Sequence, residues 1–85
     1  MWTLKYLPQS QRDLLGLDMS AIIQVLKKLE QISQKEDPHL EKLEGFEYHK
    51  IRAGDYRAIV ILDYKNKLIE VRRIGHRKNI YKKLN

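Results

Sequence analysis

The sequence predicts an α+β domain: a small N-terminal strand, two helices, then a three-stranded antiparallel meander. Three observations carry this. Apolar residues recur at helical spacing only in the N-terminal half, between about residues 20 and 35. Branched and aromatic residues crowd the stretch from Phe46 to Ile74, where they read as strands. The joints within that stretch are short and rich in turn residues, so neighbouring strands must be antiparallel. With 85 residues there is room for one domain, 1–85, and no more.

Each element follows from local chemistry. Trp2 to Leu7 alternates Trp2, Leu4 and Tyr6 against Thr3, Lys5 and Leu7, as a strand does, and Pro8 closes it. Ser10 is the expected cap of a helix of about two turns ending at Gly16, with Asp13 completing a short capping box. A longer helix is expected from Ser20 to Lys35, with Ile22, Val25, Leu26, Leu29 and Ile32 on one face. Asp37-Pro38 ends it, because proline pushes the preceding residue out of the helical region. His39 to Gly45 reads as a connector. The strands are Phe46–Arg52, Tyr56–Asp63 and Leu68–Ile74, joined by Ala53-Gly54-Asp55 and by Tyr64-Lys65-Asn66-Lys67. Gly75 to Asn85 is a basic tail with one helical turn near Ile80–Leu84. The helices must cover one face of the sheet and leave the other open.

Charge separates the two halves. Residues 1–49 carry six Lys/Arg against eight Asp/Glu, a net −2, whereas residues 50–85 carry eleven against three, a net +8. No acidic residue follows Glu70. Such asymmetry points to a polyanion or an acidic partner, beside the plainer reading of a solvated basic surface. There is no cysteine, which excludes disulfides and thiolate–zinc sites. The segment Met1-Trp2-Thr3-Leu4-Lys5 lacks the basic start and apolar run of a signal peptide, and no stretch approaches a membrane span; the cytoplasm is the expected compartment.

Several chemistries are excluded by what is missing. Gly16, Gly45, Gly54 and Gly75 are scattered, so there is no phosphate-cradling loop. His39, His49 and His76 form no zinc pattern. Asp55, Asp63 and Glu70 are too few and too spread for a two-metal nuclease. No metal and no cofactor are therefore expected. What remains is basic. Strand alternation puts Tyr48, Lys50 and Arg52 on one face of their strand, opposite Glu47, His49 and Ile51. The same rule groups Arg57 with Ile59 and Ile61, Arg72 with Glu70 and Ile74, and Arg73 with Ile69 and Val71. The turn at Gly54 brings Arg52 and Arg57 to one end of a hairpin, and Gly75-His76-Arg77-Lys78-Asn79-Ile80-Tyr81 adds further donors. Singly, each of these is ordinarily a solvent-facing cation, a surface histidine or an anchoring tyrosine. Together they form a constellation of cations with a phenol and an imidazole.

Tyr48-His49-Lys50-Ile51-Arg52-Ala53-Gly54-Asp55-Tyr56-Arg57, with Ile69-Glu70-Val71-Arg72-Arg73-Ile74-Gly75-His76-Arg77-Lys78-Asn79-Ile80-Tyr81, resembles the RelE branch of the RelE/ParE toxin superfamily. Pro8, Arg12-Asp13-Leu14 and Lys42-Leu43-Glu44-Gly45 also fit, so the resemblance covers essentially the whole chain. It implies a RelE-like microbial ribonuclease fold. It implies the toxin of a type II toxin–antitoxin system, an endoribonuclease that cuts mRNA in the ribosomal 30S A site by attack of the 2′-hydroxyl on the adjacent phosphate. Lys50 and Arg52 match the family's cationic strand pair, Arg57 the arginine opening the next strand, Arg77 the arginine after the last strand, and Tyr81 the C-terminal tyrosine at a compressed spacing. His76 stands where many relatives carry a basic or imidazole side chain.

Preorganised cations suit that reaction, since they stabilise a phosphorane's added negative charge more than the ground state. Arginine does so with two donors at once. Tyr81 is the candidate base or a stacking platform; Lys50 or Arg52 would help activate the nucleophile, and Arg57 or His76 would protonate the leaving oxygen. The expected partners are a RelB-like helical antitoxin, lying across the open sheet or the C-terminal tail, and the ribosome with its mRNA. The alternatives are a ParE-like toxin directed at gyrase, on the same fold, and a non-catalytic module binding RNA or protein.

Overall fold

In the computed structural model, which describes residues 1–84, an N-terminal strand β1 (Thr3–Tyr6) leads into α1 (Pro8–Leu15) and α2 (Met19–Ser33). The strands β2 (Glu41–Lys42), β3 (His49–Ala53), β4 (Tyr56–Asp63) and β5 (Leu68–His76) follow, and a 3-10 turn over Ile80–Leu84 ends the described chain. Asn85, the last residue of the expected tail, lies outside the described residues. The strands form one sheet in the order β1-β5-β4-β3-β2. β1 runs parallel to β5, and the other neighbours are antiparallel. The α+β class and the meander of the sequence reading are therefore present.

The departures have local causes. α1 begins at Pro8, not after Ser10, because proline's fixed φ and missing N–H suit the first helical turn. Ser10 is buried inside that turn, where its hydroxyl donates to the Leu7 carbonyl at 2.8 Å, so the expected capping box does not form. α2 is capped by Asp18, whose carboxylate accepts from the Ala21 N–H at 2.9 Å, so the helix opens at Met19, one residue ahead of the expected start at Ser20. It ends at Ser33, short of Lys35. The connector holds the unexpected edge strand β2, which pairs Glu41 with Lys50 and Lys42 with His49. β3 starts at His49, later than Phe46, and β5 continues past Ile74 to His76.

The main core lies between α2 and the sheet. Val25, Leu29 and Ile32 of α2 meet Ile51, Ala58, Val60, Ile69, Val71 and Ile74, with Trp2 at one end. Each large side chain fully buried in this way stabilises the fold by about 1.5–3 kcal/mol relative to exposure. Leu26 stays at the helix margin, 37% exposed. Trp2 ties β1 to the end of α2: its main-chain N–H donates to the Ser33 carbonyl at 2.8 Å, its indole N–H to the Glu36 carbonyl at 3.1 Å.

A bulge corrects one expectation about faces. β4 and β5 pair Ile59 with Arg73 but Val60 with Val71, so Arg72 has no partner in the register. The extra residue resets the alternation. Ile74 joins Ile69 and Val71 on the helix side instead of standing with Arg72, and Arg73 turns to the opposite face with Ile59. α1 runs beside the part of β5 that β1 leaves uncovered. Asp13 there accepts from the Ile74 main-chain N–H at 2.9 Å and from Arg73 Nε at 3.0 Å. One carboxylate thus satisfies a sheet edge and a guanidinium.

Candidate active site

The face of the sheet turned away from α2 carries the cations. Register pairs Arg52 with Arg57 and Lys50 with Ile59, and paired residues project to the same side. Gly54 makes this possible. It sits at φ +61° in the two-residue link between β3 and β4, a left-handed conformation that glycine adopts without strain. The 3-10 turn covers part of this face. Ile80 is fully buried, as is Ile59 in the middle of β4, and neither belongs to the helix-side core. With Ile80 anchored, Tyr81 next to it stays 40% exposed and its hydroxyl accepts from Lys50 Nζ at 3.4 Å. The ammonium also lies 5.7 Å from the centre of the Tyr81 ring.

Lys50 and Tyr81, thirty-one residues apart in sequence, are thus brought together. Arg52 is exposed on the same face, and Arg57 curls back so that its Nη1 donates to the Gly54 and Tyr56 carbonyls at 2.7 and 2.8 Å. Arg77 leaves the end of β5 beside the Gly54 turn. Its main-chain N–H donates to the Asp55 carbonyl at 2.8 Å, and its Nε stands 3.8 Å from the Asp55 carboxylate. The turn therefore gathers Arg52, Arg57 and Arg77 at one end of the sheet.

His76 is not brought into this group. It pairs with Tyr56, whose ring packs against the helix-side core, and the two rings meet edge to face at 5.6 Å. Its Nδ1 accepts from the Lys78 main-chain N–H at 3.2 Å. Side chains of Lys50, Arg52 and Arg57 project from the other side of the sheet.

Glu41 belongs to the site and was missed in the sequence. Its carboxylate accepts from Lys50 Nζ at 2.6 Å and lies 3.5 Å from Arg52 Nη2. The hydrogen bond that Lys50 donates to Glu41, followed by that to Tyr81, raises the Lys50 pKa above its ordinary 10.5, so Lys50 is a firm cation. Glu41 is itself held below the usual carboxylate range, first by the Lys50 hydrogen bond. Its only sequence signal was its place in a connector of no clear periodicity. A second group, Phe46, Tyr48 and Arg72, lies toward the opposite end of the same face. The two rings stack at 5.6 Å and the Arg72 guanidinium lies 5.7 Å from the Tyr48 ring centre.

Among the described residues no helix is long and apolar enough to cross a membrane. No family model matches the chain, and no curated protein matches it in sequence. Solved structures do match. A chain of the intact E. coli RelBE toxin–antitoxin complex superposes with a TM-score of 0.75 at 20% identity, covering 89% of this chain and 96% of that one. The isolated E. coli RelE toxin gives 0.76 at 19%, covering 89% and 84%. The archaeal RelE–RelB complex from Pyrococcus horikoshii OT3 gives 0.73 at 24%, covering 89% and 94%. The chain therefore has the fold of the RelE toxins.

Proposed function

We propose that the chain is the toxin of a type II toxin–antitoxin system, a cytoplasmic endoribonuclease that cleaves mRNA in the ribosomal A site without a metal ion. The observation that carries this reading is the Lys50–Tyr81 contact on a cationic sheet face, with Arg52 and Arg57 beside it and Arg77 at its end. A phosphate seated there meets several fixed donors, and the adjoining 2′-hydroxyl reaches Tyr81. In the proposed reaction the 2′-oxygen attacks phosphorus, Tyr81 is the group placed to take its proton, and the bond to the 5′-oxygen breaks. The products are a 2′,3′-cyclic phosphate and a 5′-hydroxyl. Arg52, Arg57 and Arg77 stabilise the phosphorane. Lys50, kept protonated by Glu41, is preferred to His76 as the group that returns a proton to the leaving oxygen, because the His76 ring lies with Tyr56 on the other side of the sheet. A RelB-like helical antitoxin is the proposed partner, by likeness to the RelE–RelB complexes.

Induced expression tests the reading, with growth and the 5′ ends of ribosome-bound mRNA followed together. The wild-type chain is expected to arrest growth and to cut mRNA. Lys50→Ala, Arg77→Ala and Tyr81→Phe are expected to lose about 10²–10⁴-fold in cleavage rate, the range for acid–base and electrostatic groups. Arrest with intact mRNA would overturn the nuclease reading in favour of another target, such as gyrase.

A further inference from the structure

We infer that Phe46, Tyr48 and Arg72 form a stacking subsite for one nucleotide of single-stranded RNA, distinct from the Lys50–Tyr81 group and next to it. The inference rests on the RNA-cleaving reading above.

The bulge in β5 creates the site. Because Arg72 is the residue with no register partner, it is freed from strict alternation, and its guanidinium lies against the Tyr48 ring. Phe46 stacks on the same ring nearly parallel, at 9° between planes, while itself 40% exposed. A phenylalanine with that much surface in water, preorganised in a stack, has no evident part in the core, which lies on the far side of the sheet. A cleft of about 450 Å³ opens beside the stack, lined by Tyr48, Arg72, Arg12, Gln9, Pro8 and Leu84 among others. The start of α1 forms one of its walls and adds Arg12 to its lining.

Two stacked aromatic rings with a guanidinium 5.7 Å from one of them accept the face of any base, and the surrounding cations accept the attached phosphate. An acidic peptide would use the cations and leave the rings idle; a nucleotide uses both, which favours it. The position is also right for a continuous strand. Tyr48 immediately precedes β3 and lies two positions from Lys50, so the stack begins roughly 7 Å from the cleavage group along the chain. A strand whose phosphate is held by Lys50 therefore has a neighbouring base at the Arg72 plane.

The test uses a short single-stranded 2′-O-methyl RNA, which lacks the free nucleophile, carrying 2-aminopurine at successive positions. Anisotropy reports binding at low salt, and quenching of 2-aminopurine reports stacking. The wild-type chain is expected to bind, with strong quenching at one position. Tyr48→Leu and Arg72→Ala should weaken binding about tenfold, the size of one lost stack, and abolish that quenching. Tyr48→Phe keeps the ring and should restore both, which separates a stacking role from mere support of the fold. Lys50→Ala should weaken binding but leave the quenching at saturation. If Lys50→Ala weakens binding while Tyr48→Leu and Arg72→Ala leave both signals intact, the subsite is wrong and the nuclease reading stands. If the wild-type chain does not bind this RNA at all, the subsite is overturned, and the nuclease reading stands or falls by the mRNA-cleavage test above.

Discussion

At the scale of residues, Asp13 shows how one side chain can serve two needs. Its carboxylate is almost wholly buried, accepts from the Ile74 main chain, and pairs with Arg73 across sixty residues of sequence. Asp13→Ala leaves an edge N–H and a partly buried guanidinium without that acceptor. The expected loss is about 2–3 kcal/mol, since breaking such a pair strands a charge, though Arg73 keeps some access to water. A lower urea midpoint with an unchanged slope checks it. The sequence presented Asp13 as part of a capping box because its distance from Ser10 fits one. Nothing local could reveal a partner sixty positions away. Lys50, Arg52 and Arg57 were legible as one face, because alternation in paired strands is a local rule. Glu41 was not, because its meaning comes from the register of an edge pair with Lys50.

At the scale of elements, legibility followed length. α2 carries enough turns for its apolar stripe to stand out, and it packs Val25, Leu29 and Ile32 as the spacing requires. β2 has only two residues, both exposed, and so has no periodicity to read. The bulge was invisible for another reason: β5 alternates well on each side of Arg72, and only its pairing with β4 shows that the two runs are out of phase. The start of α2 carries a side-chain cap. Asp18 accepts from the Ala21 N–H and also from the Ser20 hydroxyl, which lowers its pKa. Replacing it with alanine removes that acceptor and is expected to lower Tm by about 4–8 °C, the fall that losing one helix cap causes in a domain of this size. Far-UV circular dichroism through the thermal transition measures it, and Asp18→Asn, which keeps an acceptor, should lose much less.

At the scale of the molecule, the sheet divides labour between its faces: apolar packing under α2, cations and exposed rings on the other. His49 lies on the helix side of β3, back to back with Lys50, and marks the boundary. Burial, and then the nearby Lys42 charge, lower its pKa from 6.5, and its Nδ1 is buried without a hydrogen-bond partner. The folded chain thus binds fewer protons at His49 than the unfolded chain does between the lowered value and 6.5. Stability must therefore fall as the pH drops through that window. A second decline follows at lower pH. Glu41, Asp18 and Asp63 have lowered pKa values, each chiefly through a hydrogen bond, so what they contribute is present above the usual carboxylate range and lost as the pH falls through their folded values. Urea midpoints measured from pH 7 downward should show two separate losses. His49→Leu should remove the first and keep the second, which separates the imidazole from the general repulsion that grows as this basic chain gains charge. A midpoint that stays level from pH 7 until the carboxylates titrate would rule out the burden at His49. Lys50, with its pKa raised by Glu41, stays charged throughout, so the cationic face should keep its charge while the packed face weakens.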